Sequence, residues 1–170
     1  MLTSDQAKWI DSLSDRQILV VPYDPRSEDL FNKVRDRIHT ILGHDVVVEH
    51  CGASGLGISG QDEIDVSIAV MKDKFADYIP LLEVEFGPVR SQYPDRARLE
   101  AREEGKKIDL KIVDMNHANY LRGKAFELHL RKYPEDLEAY RILKEEASGM
   151  SAKEYYRRKT EFINDILARA

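Results

Sequence analysis

The sequence predicts an α+β fold, a mixed sheet with flanking helices and a helical C-terminal third. Three observations predict it. Stretches 64–70 and 108–113 alternate apolar and polar residues, the period of a strand with one buried face. Segments 30–42 and 75–86 instead place their apolar residues at helical spacing. From about Ala118 onward every signal is helical. The 170 residues suit a single domain, 1–170, with a βαββ-type core over 15–115 and C-terminal helices over 116–170 packed on it.

Each element follows in chain order. Ala7, Ile10 and Leu13 share one face of a short helix over 3–13. Ile18-Leu19-Val20-Val21 is an apolar run ended by Pro22, and it reads as a strand. Ser27, followed by Glu28 and Asp29, reads as the N-cap of a helix whose Leu30, Phe31, Val34, Ile38, Ile41 and Leu42 repeat every turn. Gly43 stops that helix. Val46-Val47-Val48 reads as a buried strand running into the small-residue turn His50-Cys51-Gly52-Ala53-Ser54-Gly55. A strand carrying Ile64, Val66, Ile68 and Val70 follows, then a helix over Phe75–Phe86 closed by Gly87-Pro88. Arg98–Arg102 and Ile108–Val113 read as a hairpin about Glu104-Gly105-Lys106. The C-terminal helices break at Tyr133-Pro134 and at Ser148-Gly149, and Ser151-Ala152-Lys153-Glu154 reads as a capping box.

Composition narrows the classes of function. Net charge is −5 with histidines neutral, and the charges of both signs are interspersed. Non-specific binding of nucleic acid or of a membrane surface needs clustered cations, so neither is expected. Tyr155-Tyr156-Arg157-Arg158-Lys159 mixes aromatics with bases, but the neighbouring glutamates mark a solvated amphipathic helix. The single cysteine, Cys51, cannot form an intrachain disulfide, which fits a reducing compartment and a cytoplasmic protein. It reads as a packed structural thiol. His117 and His129 have no partners at metal-ligand spacing, so zinc is not expected.

The chemistry concentrates in one stretch. Glu63 and Asp65 stand two apart on a strand and so project to one face, where they can share a divalent ion. Asp109, between Ile108 and Leu110, stands on the corresponding face of the later strand. Carboxylates converging without metal should repel one another and raise at least one pKa. Gly52, Ala53 and Ser54 offer backbone N–H groups to phosphate oxygens. A small-residue turn followed by acid–apolar–acid resembles the signature of nucleotidyltransferases, with Ala53 where Gly or Ser is usual and Glu63 where Asp is usual. The same residues also suit a solvated strand after a loop. His50 reads either as a group that orients phosphate or acts as a base, or as a ring packed beneath the turn. Ser54 reads either as a phosphate donor or as a loop cap.

The wider sequence resembles the GrpB family, small bacterial proteins of nucleotidyltransferase-like fold. Tyr23-Asp24-Pro25 with Phe31 is similar to its early Tyr-Asp-Pro segment. His50-Cys51-Gly52, Ser54, Gly57 and Asp65 are similar to its His-Ile-Gly-Ser stretch, though the family's Pro and Lys there are replaced by Leu56 and Gln61. Phe126, Leu130, Arg131 and Pro134 fit its Phe-x-x-x-Leu-Arg-x-x-Pro pattern, and Tyr140, Leu143, Lys144, Tyr155, Lys159, Phe162 and Ile163 follow at its spacing. Its His-rich strand reads Asp109-Leu110-Lys111 here. The resemblance implies a magnesium-dependent nucleotidyltransferase, passing a nucleotidyl group from a nucleoside triphosphate to a small acceptor. Glu63, Asp65 and Asp109 would ligate metal, and Asp109 would assist deprotonation of the acceptor. Gly52, Ala53 and Ser54 would hold phosphate, with Arg131, Lys144 and Lys159 either joining them or standing as surface cations. Family members fused to dephospho-CoA kinase imply an alternative, a non-catalytic module that binds a nucleotide or a CoA-like ligand.

Overall fold

The computed structural model describes residues 1–169, which cluster into two compact units. One, the sheet unit, comprises Tyr23–Gly57 and Asp62–Gly123. The other, the helical unit, comprises Met1–Pro22, Ile58–Gln61 and the chain from Lys124 on. Among the described residues no helix is long and apolar enough to cross a membrane.

The sheet unit contains α2 (Ser27–Leu42), β1 (Val47–Cys51), the short α3 (Gly52–Leu56), β2 (Glu63–Val70), α4 (Phe75–Phe86), β3 (Val89–Tyr93), β4 (Arg96–Glu103) and β5 (Lys106–Asp114). The strands form one five-stranded mixed sheet in the order β1-β2-β5-β4-β3. β2 and β5 run parallel at its centre, and the other pairings are antiparallel. Ile64, Val66 and Ile68 of β2 and Ile108, Leu110 and Ile112 of β5 are fully buried. With Leu30, Phe31, Val34 and Ile38 of α2 and Ile79, Leu82 and Phe86 of α4 they make a single core. One face of the sheet is thereby covered by helices, and the alternate residues are left to form the opposite face.

Within this unit the structure departs from the sequence reading in three places. The N-cap of α2 is Arg26, and Ser27 is instead its buried first residue, donating its N–H to the Asp24 carbonyl. The cause is Asp24: its carboxylate takes the Arg26 N–H at 3.0 Å and the Arg26 guanidinium, so the turn ahead of the helix closes on Asp24. The same carboxylate accepts from Lys106 at 3.2 Å, and buried Lys106 also pairs with Asp62. Second, the strand expected to be buried at 46–48 is β1 at Val47–Cys51, an edge strand with Val47 exposed and no residue fully buried; it places His50 and Cys51 on a strand, and the turn after it coils into α3. Third, β3 carries no sequence signal beyond Val89. As the edge of the sheet it is mostly polar and half exposed, so the alternation that marks a buried face is missing.

The helical unit contains α1 (Ser4–Asp11), α6 (Pro134–Glu146), α7 (Ala152–Arg169) and the part of α5 (Ala118–Lys132) from Lys124 on. Pro134 opens α6, and Ser151 caps α7 by accepting the Glu154 N–H at 3.3 Å. Ile18–Val21 is not a strand. Ile18 and Val21 exchange backbone hydrogen bonds with the turns at Gly149, Met150 and Gly60, which form no ladder. Its apolar character is still used, since Ile18 packs with Ala147, Ala152 and Tyr155. The Tyr155 hydroxyl is the one buried side-chain polar atom without a hydrogen-bond partner among the described residues. Gln61 gives its amide to the neighbouring Tyr156 hydroxyl at 3.3 Å. Leaving a buried hydroxyl unpaired costs about 1–3 kcal/mol. Tyr155→Phe is therefore expected to stabilise the protein by about 1 kcal/mol in urea denaturation. A loss of stability would show that the hydroxyl is paired.

Candidate active site

The face of the central strands opposite their apolar core residues carries the acids. Glu63 and Asp65 occupy alternate positions of β2, and the parallel register sets Asp109 of β5 directly beside Asp65. One carboxylate oxygen from each of the three lies within 4.8 Å of the others. Glu63 and Asp65 are half-buried, whereas Asp109 is only 5% exposed. Hard oxygen donors at this spacing fit a divalent cation such as magnesium.

The acids are not left to repel one another. Lys107 and Lys111 flank Asp109 at two residues on either side and so share its face. Lys107 reaches Glu63 at 2.9 Å, and Lys111 bridges Asp65 at 3.2 Å and Asp109 at 3.1 Å. Arg98, opposite Lys111 on β4, adds a bond of 2.9 Å to Asp109. Burial alone would push the Asp109 carboxyl up, but the Lys111 and Arg98 charges outweigh it and hold Asp109 below the usual carboxylate range. For Asp109 the shift is thus opposite to the rise expected from carboxylate crowding. Burial likewise works to lower Lys111, and the Asp65 and Asp109 charges more than offset it, holding the ammonium above the usual lysine range. Sequence reading passed over these cations, although the Lys-x-Asp-x-Lys alternation of β5 carried the signal.

The glycine turn abuts this cluster. Gly52 has φ of +65°, and a Cβ built on it would lie 2.2 Å from Asp65 Oδ2. Only glycine lets the backbone pass this close to the carboxylate while adopting a left-handed conformation. Ala53 follows in α3. Ser54 Oγ lies 3.0 Å from His50 Nε2, and His50 Nδ1 lies 3.1 Å from Glu28 Oε2. The His50 ring stacks on Phe31 with centroids 4.6 Å apart. This Glu28–His50–Ser54 chain ties the first turn of α2 to β1 and α3. Gly55 completes the packing, since a Cβ there would stand 2.3 Å from the His50 carbonyl oxygen. His50 is accordingly packed against the turn, with Ser54 as its hydrogen-bond partner.

Arg131, Lys144 and Lys159 lie on α5, α6 and α7 in the helical unit, and the acidic cluster is assembled from sheet-unit residues alone. Lys144 is buried at 4% exposure with its Nζ 5.4 Å from the Tyr140 ring centroid, and Lys159 stands 5.7 Å from that of Tyr156.

Comparison with known proteins gives a consistent picture. The model of the GrpB protein family matches residues 17–169. A UPF0157 protein of Vibrio cholerae is 27% identical over 152 residues, spanning 87% of this chain and 79% of that one. The crystal structure of a conserved GrpB protein from Enterococcus faecalis superimposes with a TM-score of 0.68 at 20% identity, covering 89% of this chain and 98% of that one. A more remote likeness, with a TM-score of 0.45 and 13% identity over 75% of this chain and 62% of the other, is to polymerase beta of Leishmania infantum in a ternary complex.

Proposed function

Because the chain belongs to the GrpB family, we propose that its acidic sheet face serves metal-dependent nucleotidyl transfer from a nucleoside triphosphate to a small acceptor. The observation that carries this reading is the meeting of Glu63, Asp65 and Asp109 within 4.8 Å beside a turn whose Gly52 touches Asp65.

Glu63 and Asp65 are the candidates for holding magnesium, with Asp109 closing the acidic face. A magnesium ion there would supply charge to the triphosphate and to the departing pyrophosphate. The chain's own residues would do the rest. Gly52, Ala53 and Ser54, in the turn beside the carboxylates, are the candidates for holding the phosphates. Asp109, tied to Lys111 and Arg98 and held well ionised, suits the role of a fixed anchor better than that of a base that gains and loses a proton. Deprotonation of an acceptor hydroxyl then falls to Glu63 or Asp65, which are more open to solvent.

The test is calorimetric titration of ATP, CTP, GTP and UTP with magnesium, on wild type and on Asp65→Asn. Magnesium-dependent binding of at least one nucleotide is expected, weakened about a hundredfold in the variant. If no nucleotide binds to wild type, the reading fails. The pairing of all three acids with cations favours a second reading, a non-catalytic module for a nucleotide or a CoA-like ligand. Magnesium-dependent binding with no pyrophosphate released across a panel of small hydroxyl compounds would select it.

A further inference from the structure

We propose that Lys111 is a built-in cation of this site, its ammonium standing between Asp65 and Asp109 where a second divalent ion would stand, so that the site accepts one ion, on the Glu63–Asp65 side. The inference rests on the reading above for the presence of a divalent ion and adds how many the site holds.

The placement of Lys111 follows from the register. It lies opposite Ser67, two residues past the Asp65–Asp109 pair. Ser67 is small and buried, which lets the lysine stem lean back along the face until Nζ reaches Asp65 Oδ1 at 3.2 Å and Asp109 Oδ2 at 3.1 Å. Arg98 shares that same Asp109 oxygen at 2.9 Å and approaches the other at 3.4 Å. Both oxygens of Asp109 are therefore committed to cations on this chain.

The two lysines differ in what displacement would cost. Lys107 touches Glu63 at 2.9 Å and has Glu100 3.7 Å away, so it can shift onto Glu100 when Glu63 takes up an ion. Lys111 holds two carboxylates at once, one of them almost fully buried, and leaving would separate it from both. The three acids Glu63, Asp65 and Asp109 face the three cations Lys107, Lys111 and Arg98, which leaves no net charge. Two divalent ions would crowd four more positive charges onto a cluster whose six charges already balance, with Lys111 and Arg98 still in place. One ion, entering as Lys107 moves aside, avoids this.

Counting bound Mn2+ by electron paramagnetic resonance, on the full chain and without nucleotide, tests the inference. Wild type is expected to bind one ion and Lys111→Met twice as many, while Lys111→Arg keeps the wild-type count. Lys111→Gln provides the same neutralisation should the methionine variant fail to fold. The inference is overturned if wild type binds two ions or none, or if the neutral variants keep the wild-type count. The ion count is independent of nucleotide. A count of one Mn2+, together with failure of all four nucleotides to bind in the calorimetric titration, would defeat nucleotidyl transfer and leave the role of Lys111 standing.

Discussion

Gly52→Ala is expected to lower the unfolding free energy by about 3 kcal/mol and to remove divalent-cation binding in the same step. Two effects add. A non-glycine residue at φ of +65° costs about 1–2 kcal/mol. The new methyl group also falls 2.2 Å from Asp65 Oδ2 and 2.9 Å from its Cγ, so rotating the carboxylate does not clear it. Overpacking of this kind typically costs about 1–3 kcal/mol. Asp65 must then leave its place beside Asp109 and Lys111, and the acidic face loses its middle member. Urea denaturation and Mn2+ titration read the two effects separately. A variant with wild-type stability and wild-type Mn2+ affinity would show that the turn is not seated on Asp65.

Asp109→Asn is expected to destabilise by about 3 kcal/mol at neutral pH, the low end of the range for breaking a buried ion pair because Lys111 keeps Asp65. The penalty should depend on pH in a definite direction. Asp109 is held below the usual carboxylate range in the folded chain, so its contribution is present above the unfolded carboxyl value of about 4. It is lost as pH falls through the lower folded value, where the protonated acid resembles asparagine. The gap in stability between wild type and variant should therefore be constant from pH 6 to 8 and shrink below about pH 4. Carboxylates remote from this cluster are the same in both proteins and cancel in the difference. A gap that does not narrow in acid would mean that Asp109 owes nothing to Lys111 and Arg98.

What could be read from the sequence divides along physical lines. β2 and β5 each bury one face, so the alternation of Ile64, Val66 and Ile68, and of Ile108, Leu110 and Ile112, announced both strands and assigned Glu63, Asp65 and Asp109 to the opposite side. α2 was equally plain, because its apolar stripe meets a core and Gly43 ends it at φ of 98°. Less could be read where local composition does not decide the partner. β3 is a polar edge, and Ile18–Val21 is apolar yet meets only turns. Glu28, His50 and Ser54 join because α2 packs over β1, which no spacing in the chain encodes. The cations on the acids were legible as residues on one face of β5, but which carboxylate each would reach depends on how far β2 and β5 slide past one another.

That parallel pairing has a consequence for biogenesis. Neighbouring partners on β2 and β5 are separated by α4, β3 and β4, so the sheet closes at its centre only after all three have been made. A ribosome delivers Glu63 and Asp65 well before Asp109, and in that interval β2 has β1 on one side and an unsatisfied ladder on the other. The strand on which the site depends is thus also the one that a growing chain must shield longest from other chains, and its tightly apolar run of Ile64, Val66 and Ile68 is the stretch a chaperone would have most reason to hold.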